Sequence, residues 1–168
     1  MYDELTPVDI QKMQEEIDHR VRVLRPQLIE EVQTARAFGD LSENFEYKCA
    51  KQAKNRNESR IRYLERMIRT AKIIEVRPQQ ADTVGLFDKV RIFNEMAQKE
   101  MVIQIVTTLR QDALKGLISK ESPVGKALLG QQVGQRVQVE VSPTLKYFVE
   151  IRGIEKGTDD ASMDISAY

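Results

Sequence analysis

From Ile10 onward the apolar residues step by three and four: Ile10, Met13, Ile17, Val21, Leu24, Leu28, Val32 and Ala35. That spacing places them on one stripe of one long helix. Thr6-Pro7 opens the segment, with Pro7 suited to the first helical position and Asp9 three residues after Thr6. Pro26 falls inside the run and cannot donate its helical hydrogen bond, so a kink is expected there. Gly39 is expected to end the helix through a left-handed residue.

A second stripe follows almost at once through Ala50, Ala53, Asn57, Ile61, Leu64, Ile68 and Ala71. Two long helices joined by so short a connection must run antiparallel. Thirty residues at about 1.5 Å each make a rod of roughly 45 Å. The stripes are narrow, which describes a protruding two-helix coiled coil rather than helices inside a globule.

After Arg77-Pro78-Gln79-Gln80 the period becomes two. Lys89 to Phe93, Met101 to Val106, Arg136 to Val141 and Tyr147 to Ile154 read as strands. Ser122-Pro123 reads as the start of a short helix that Gly130 stops. The expected fold is α+β: an N-terminal hairpin over residues 1–77 and an antiparallel-sheet domain with one short helix over 78–168. Residues 78–84 would be a linker and 157–168 a frayed tail.

Composition narrows the classes. In a chain of 168 residues, 26 basic and 26 acidic side chains cancel, which argues against a general nucleic-acid binder. The single cysteine, Cys49, fits a reducing compartment, and no apolar run resembles a signal peptide or a membrane span. A cytoplasmic, monomeric protein that meets no membrane is the expectation. The neutrality hides segregation: between residues 47 and 72 nine basic residues face two acids. At about 100° per residue, Lys48, Lys51, Arg62, Arg66 and Arg69 share a stripe opposite the apolar seam. It is either a solvated face or a contact for RNA or protein.

Between the helices lies Gly39-Asp40-Leu41-Ser42-Glu43-Asn44, with two carboxylates three apart and no base. Asp-x-x-Glu at a helix start is a capping box, with Asp40 capping the amides and Glu43 in the favourable end of the dipole. Alternatively, a narrow rod ending in two carboxylates can carry them into a cavity. There they would ligate Mg²⁺ together with groups from a partner, since two are too few to hold the ion alone.

Ala35-Arg36-Ala37-Phe38-Gly39-Asp40-Leu41-Ser42-Glu43-Asn44-Phe45-Glu46-Tyr47 resembles the tip signature A-R-x-x-G-D-x-x-E-N-x-E-Y of the bacterial transcript cleavage factors GreA and GreB. Arg25-Pro26, the run Arg60 to Glu65, Leu117-Ile118-Ser119, Ser122-Pro123 and Ala127 to Gly130 are similar to that family in order and spacing, over roughly residues 5–155. The resemblance implies an FKBP-like second domain and a coiled coil that enters the secondary channel of RNA polymerase. There it would stimulate the polymerase's own cleavage of backtracked RNA and rescue arrested complexes. The factor would activate the polymerase and would not be an enzyme itself.

By position, Asp40 and Glu43 would be the catalytic pair, sharing a Mg²⁺ with the polymerase that the isolated protein does not hold. Gly39 and Asn44 would position the tip. Lys48, Lys51, Lys54 and Arg62 would meet the RNA 3′ end or the channel wall, DNA being involved only indirectly. Ser122 and Pro123 would dock on the polymerase. His19 reads as a surface residue, Cys49 as a small packing residue near the seam, and Phe45 and Tyr47 as packing near the tip. Leu41 is GreA-like, whereas Ser42, the basic second helix and the Pro78-Gln79-Gln80 linker are closer to GreB, so the subfamily stays open. Two rivals remain: a channel regulator that inhibits without cleavage, and a coiled-coil adaptor or chaperone that would need neither carboxylate.

Overall fold

The computed structural model describes residues 2–39 and 43–167. It divides into two compact units, Ile10–Ala71 with Tyr2, and Asp3–Asp9 with the chain from Lys72 onward. The division therefore falls at 71/72, where 77/78 was expected. The reason is a pair of two-residue strands. β1 (Glu4–Leu5) pairs in parallel with β2 (Lys72–Ile73), and Leu5 is fully buried. Strands of that length carry no alternation to read.

The first helix runs as α1 (Pro7–His19), a π-helical turn (Arg20–Leu24) and α2 (Arg25–Arg36). The expected capping pattern is present: Thr6 N–H donates to Asp9 Oδ2 at 3.1 Å, and Asp9 N–H donates to Thr6 Oγ1 at 3.3 Å. Pro26 does its work one turn earlier than a simple kink would place it. Lacking an N–H, it leaves the ladder short, and Arg25 N–H reaches back to Arg20 C=O, five residues away. α3 (Phe45–Thr70) returns alongside. Every seam position named above is buried or half-buried, with Met13, Asn57, Ile61 and Leu64 the most enclosed.

The seam is not wholly apolar. Around the π-helical turn, Arg60 grips Glu16 through two hydrogen bonds of 2.9 and 3.1 Å, and Arg20 also donates to Glu16 at 2.7 Å. Arg20 bonds Asn57 Oδ1 at 3.0 Å, while the Asn57 amide donates to Arg20 C=O at 3.2 Å. Arg25 holds Glu58 at 2.7 and 2.9 Å. Three of these ties cross between the helices. Burial alone would raise the Glu16 pKa, but the hydrogen bonds from Arg60 and Arg20 outweigh it, and the net shift is downward.

In the C-terminal unit, five strands stand in the order β5-β4-β3-β7-β6. They are β3 (Lys89–Asn94), β4 (Lys99–Val106), β5 (Leu117–Ser119), β6 (Arg136–Ser142) and β7 (Leu145–Glu155). The sheet is mostly antiparallel, with Val90 opposite Ile103 and Val137 opposite Val149. The short β5 alone joins in parallel, on β4. Val90, Ile92, Ile105, Val139, Val149 and Ile151 form the core, closed by Leu128 of α4 (Pro123–Leu128). Ser122 caps α4 as the sequence suggests, and Gly130 follows it at φ +78°. Gly125 is required by space, because a Cβ there would lie 2.2 Å from Ser119 C=O.

The tail is held, contrary to the frayed end expected for 157–168. Gly157 N–H donates to Asp88 Oδ1 at 2.9 Å, and Ser166 N–H donates to Leu109 C=O at 2.7 Å. Its main anchor is Arg110, whose side chain is fully buried. Arg110 lies 2.6 Å from Asp9 Oδ1 and 2.6 Å from Asp159 Oδ1, and donates to Thr6 Oγ1 at 3.4 Å. One guanidinium thus joins the N-terminal segment, the turn after β4 and the tail.

Removing one partner of a buried charge cluster leaves the others unpaired. Arg110→Met is expected to lower unfolding free energy by about 3–5 kcal/mol, read from chemical denaturation. A second outcome concerns acid. A carboxylate whose folded pKa is depressed stabilises above its ordinary range, and that stability is lost as pH falls through the folded value. The parent is therefore expected to lose stability below about pH 4, and Glu16→Gln to show a flatter profile there in melts at stepped pH.

Candidate functional site

The tip is built from the end of α2 and the start of α3. Ala37 N–H donates to Thr34 C=O and Phe38 N–H to Ala35 C=O, each at 3.2 Å, in the last turn before the chain leaves the helix. Gly39 follows at φ +125°, two residues past the helix cap at Ala37, and so extends the turn the sequence assigned to it. Asp40, with Leu41 and Ser42, lies outside the described residues.

Asn44 is the joint. Its Oδ1 accepts Tyr47 N–H at 3.0 Å, which caps α3, and its Nδ2 donates to Ala35 C=O at 2.7 Å. One side chain thereby satisfies an orphan amide of α3 and adds a second hydrogen bond to a carbonyl in the last turn of α2. The consequence for the carboxylates is direct. A capping box on Asp40 and Glu43 would start the helix at residue 41, whereas α3 begins at Phe45 with Asn44 as its cap. Glu43 stands one residue before that cap, exposed, with no hydrogen-bond or ion-pair partner among the described residues. The acid in the first turn is Glu46.

Around the joint, Arg36 lies over the Tyr47 ring at 5.5 Å. The Arg36 hydrogen bond, followed by the charges of Lys51 and Lys54, holds the Tyr47 phenol below its ordinary pKa. Lys48, Lys51 and Arg62 are exposed on α3, Lys54 is half-buried, and Arg62 donates to Ser59 Oγ at 3.2 Å. Arg66 and Arg69 are exposed too, whereas Arg60, of the same charge run, is turned into the seam against Glu16. Ser122 spends its hydroxyl locally, accepting from Gly125 N–H and donating to Ser119 C=O, while Pro123 is exposed.

Two residues differ from the sequence expectation, and a third was not singled out by it. Phe45 is 76% exposed and does not pack, since the first residue of α3 points away from the seam. Cys49, four residues on, shares that face and is exposed as well. Phe38, which the spacing did not single out, is 70% exposed. His19 is exposed as expected.

Carboxylate oxygens are the donors that Mg²⁺ takes, and Glu43 keeps both of its own unspent by the helix cap. No group of three or more His, Cys, Asp or Glu side chains that could hold a metal occurs among the described residues. As a carboxylate left free by the helix cap, Glu43 fits the chemistry of a Mg²⁺ ligand. No helix among the described residues is long and apolar enough to cross a membrane.

Comparison with known proteins adds an independent line. Residues 4–73 match the family model described as transcription elongation factor, N-terminal. Residues 79–156 match the one described as transcription elongation factor, GreA/GreB, C-terminal. The chain is 41% identical over 137 residues to transcription elongation factor GreA of Caldanaerobacter subterraneus subsp. tengcongensis, covering 82% of this chain and 87% of that protein. It is 38% identical over 150 residues to transcription elongation factor GreA of Mesoplasma florum, covering 89% and 96%. Among solved structures, GreA factor homolog 1 of Thermus thermophilus is similar at 25% identity and a TM-score of 0.42, over 93% of this chain and all of that one. The chain belongs to the GreA/GreB family of transcription elongation factors.

Proposed function

We propose that this elongation factor binds RNA polymerase, inserts its helical hairpin into the secondary channel and stimulates the polymerase's own cleavage of backtracked RNA. The observation that carries the reading is the division of labour at the tip. Asn44 caps α3, which leaves Glu43 outside the helix and uncommitted. Asp40 and Glu43 would hold a Mg²⁺ jointly with carboxylates of the polymerase. When bound, such an ion activates water for attack on a phosphodiester. The protein's own part is delivery and aim, so the catalytic centre would belong to the polymerase.

The other residues take supporting parts. Asn44 ties the two helix ends through Ala35 C=O and so fixes where Glu43 leaves the hairpin. Lys48, Lys51, Lys54 and Arg62 would attract the extruded RNA 3′ end, a polyanion. Pro123 offers an exposed contact for docking on the polymerase, with Ser122 shaping the turn beneath it. The factor would act as a monomer and meet DNA only through the polymerase.

The test is a stalled, backtracked elongation complex carrying end-labelled RNA and supplied with Mg²⁺. The parent protein is expected to shorten the RNA from its 3′ end. Asp40→Ala with Glu43→Ala should keep polymerase binding and slow shortening by about 10- to 100-fold or more. Cleavage at the parental rate by that double variant rejects the tip mechanism. Binding by the parent without shortening would make it an inhibitor of the channel instead.

Asn44 can be separated from simple capping. Asn44→Asp retains a good cap acceptor but loses the donor to Ala35, whereas Asn44→Ala loses both at about 1 kcal/mol or more. The aspartate variant is expected to melt near the parent yet cleave more slowly, as measured by circular dichroism and the same RNA assay.

A further inference from the structure

Phe45 opens α3 with 76% of its surface in water, in a chain with only five phenylalanines. An apolar ring held there, on the first turn of a well-formed helix, gains nothing for the fold. Its surroundings are cationic. At about 100° per residue, Lys48, Cys49 and Gln52 share its face, and Lys51 lies further round on the same cationic stripe as Lys48. All four are exposed, and neither lysine has an ion-pair partner among the described residues. Phe38, the other exposed aromatic near the tip, lines a different groove beside Glu30, Glu31 and Glu46. The two rings therefore look onto surroundings of opposite charge.

An exposed aromatic beside a stripe of unpaired cations is the arrangement that binds single-stranded nucleic acid, with the ring on a base and the cations on phosphates. An apolar protein pocket would leave those lysines without a counter-charge. We propose that Phe45 is a stacking platform for an unpaired base of the extruded RNA, with Lys48 and Lys51 on the adjoining phosphates. This rests on the reading above that the tip meets backtracked RNA. It adds a contact to the base itself, which the charge run alone would not make. Because a ring stacks on any base, the contact would add affinity without sequence preference.

The experiment measures affinity rather than cleavage. Fluorescently labelled full-length factor is titrated with two elongation complexes, one backtracked with RNA extruded and one not. The parent, Phe45→Trp, Phe45→Leu and Phe45→Ala are compared, with melts to verify that each is folded. The expected result is tighter binding of the parent to the backtracked complex, kept by Phe45→Trp. Phe45→Leu and Phe45→Ala should lose about five- to a hundredfold on that complex only. Parental affinity for Phe45→Leu would mean that the ring packs on protein, and an equal loss on both complexes would mean the same; either overturns the proposal. So does a parent that binds both complexes alike. A parent that prefers the backtracked complex but never shortens its RNA would sink the cleavage reading and leave the stacking result standing.

Discussion

Two helices that touch along a single stripe bury too little apolar surface to fix their own alignment. Everything about the N-terminal unit follows from that constraint. Toward the tip the seam is made of small side chains, Ala35, Ala50 and Ala53, which offer few knobs to lock one helix against the other. Polar ties supply what the seam lacks. Glu16 with Arg60, Arg20 with Asn57 and Arg25 with Glu58 set the alignment around the π-helical turn, and Asn44 with Ala35 sets it at the end. Part-buried polar pairs of this kind are modest sources of stability but strong determinants of register, since any slip leaves several groups unsatisfied at once. For the proposed delivery of Asp40 and Glu43, register would matter more than stability.

The C-terminal unit solves a related problem differently. Its sheet has an ample apolar core, and its loose parts are the two ends of the chain. Arg110 gathers both, with Asp9 on one side and Asp159 on the other. Asp88 plays a smaller version of the same part, accepting from Gly85 N–H and Gly157 N–H and pairing with Lys156. The tail, which has no helix or strand of its own, is thereby ordered by charge-assisted hydrogen bonds.

Periodicity revealed both helices, the seam residue by residue including the polar Asn57, four of the strands, and the capped start of α4 at Ser122-Pro123. These are features whose cause is local in the chain. What escaped has causes distant in sequence. The β1–β2 pair joins Leu5 to Ile73, and the tail is fixed by a residue some fifty positions away. Pro26 announced a disturbance, but only the i to i−5 bond shows its form. At the site, Asp40, Glu43 and Asn44 stood out by their motif, yet the motif did not say which of them caps the helix. Asp and Asn are equally good caps, and only the starting point of α3 decides between them. The exposure of Phe45 was missed because an aromatic at a helix start usually packs, and its orientation depends on that same starting residue.

The π-helical turn has one more consequence. A turn closed by an i to i−5 bond holds one residue more than its α-helical counterpart, and each residue of a helix advances the direction of the side chains by about 100°. Arg20–Leu24 therefore acts as a rotational offset in the middle of a rod. Were the same residues wound as α-helix throughout, Ala35 and everything beyond it would be turned by about a quarter of a revolution relative to α1. The compass bearing of the tip is set some twenty residues before the tip begins.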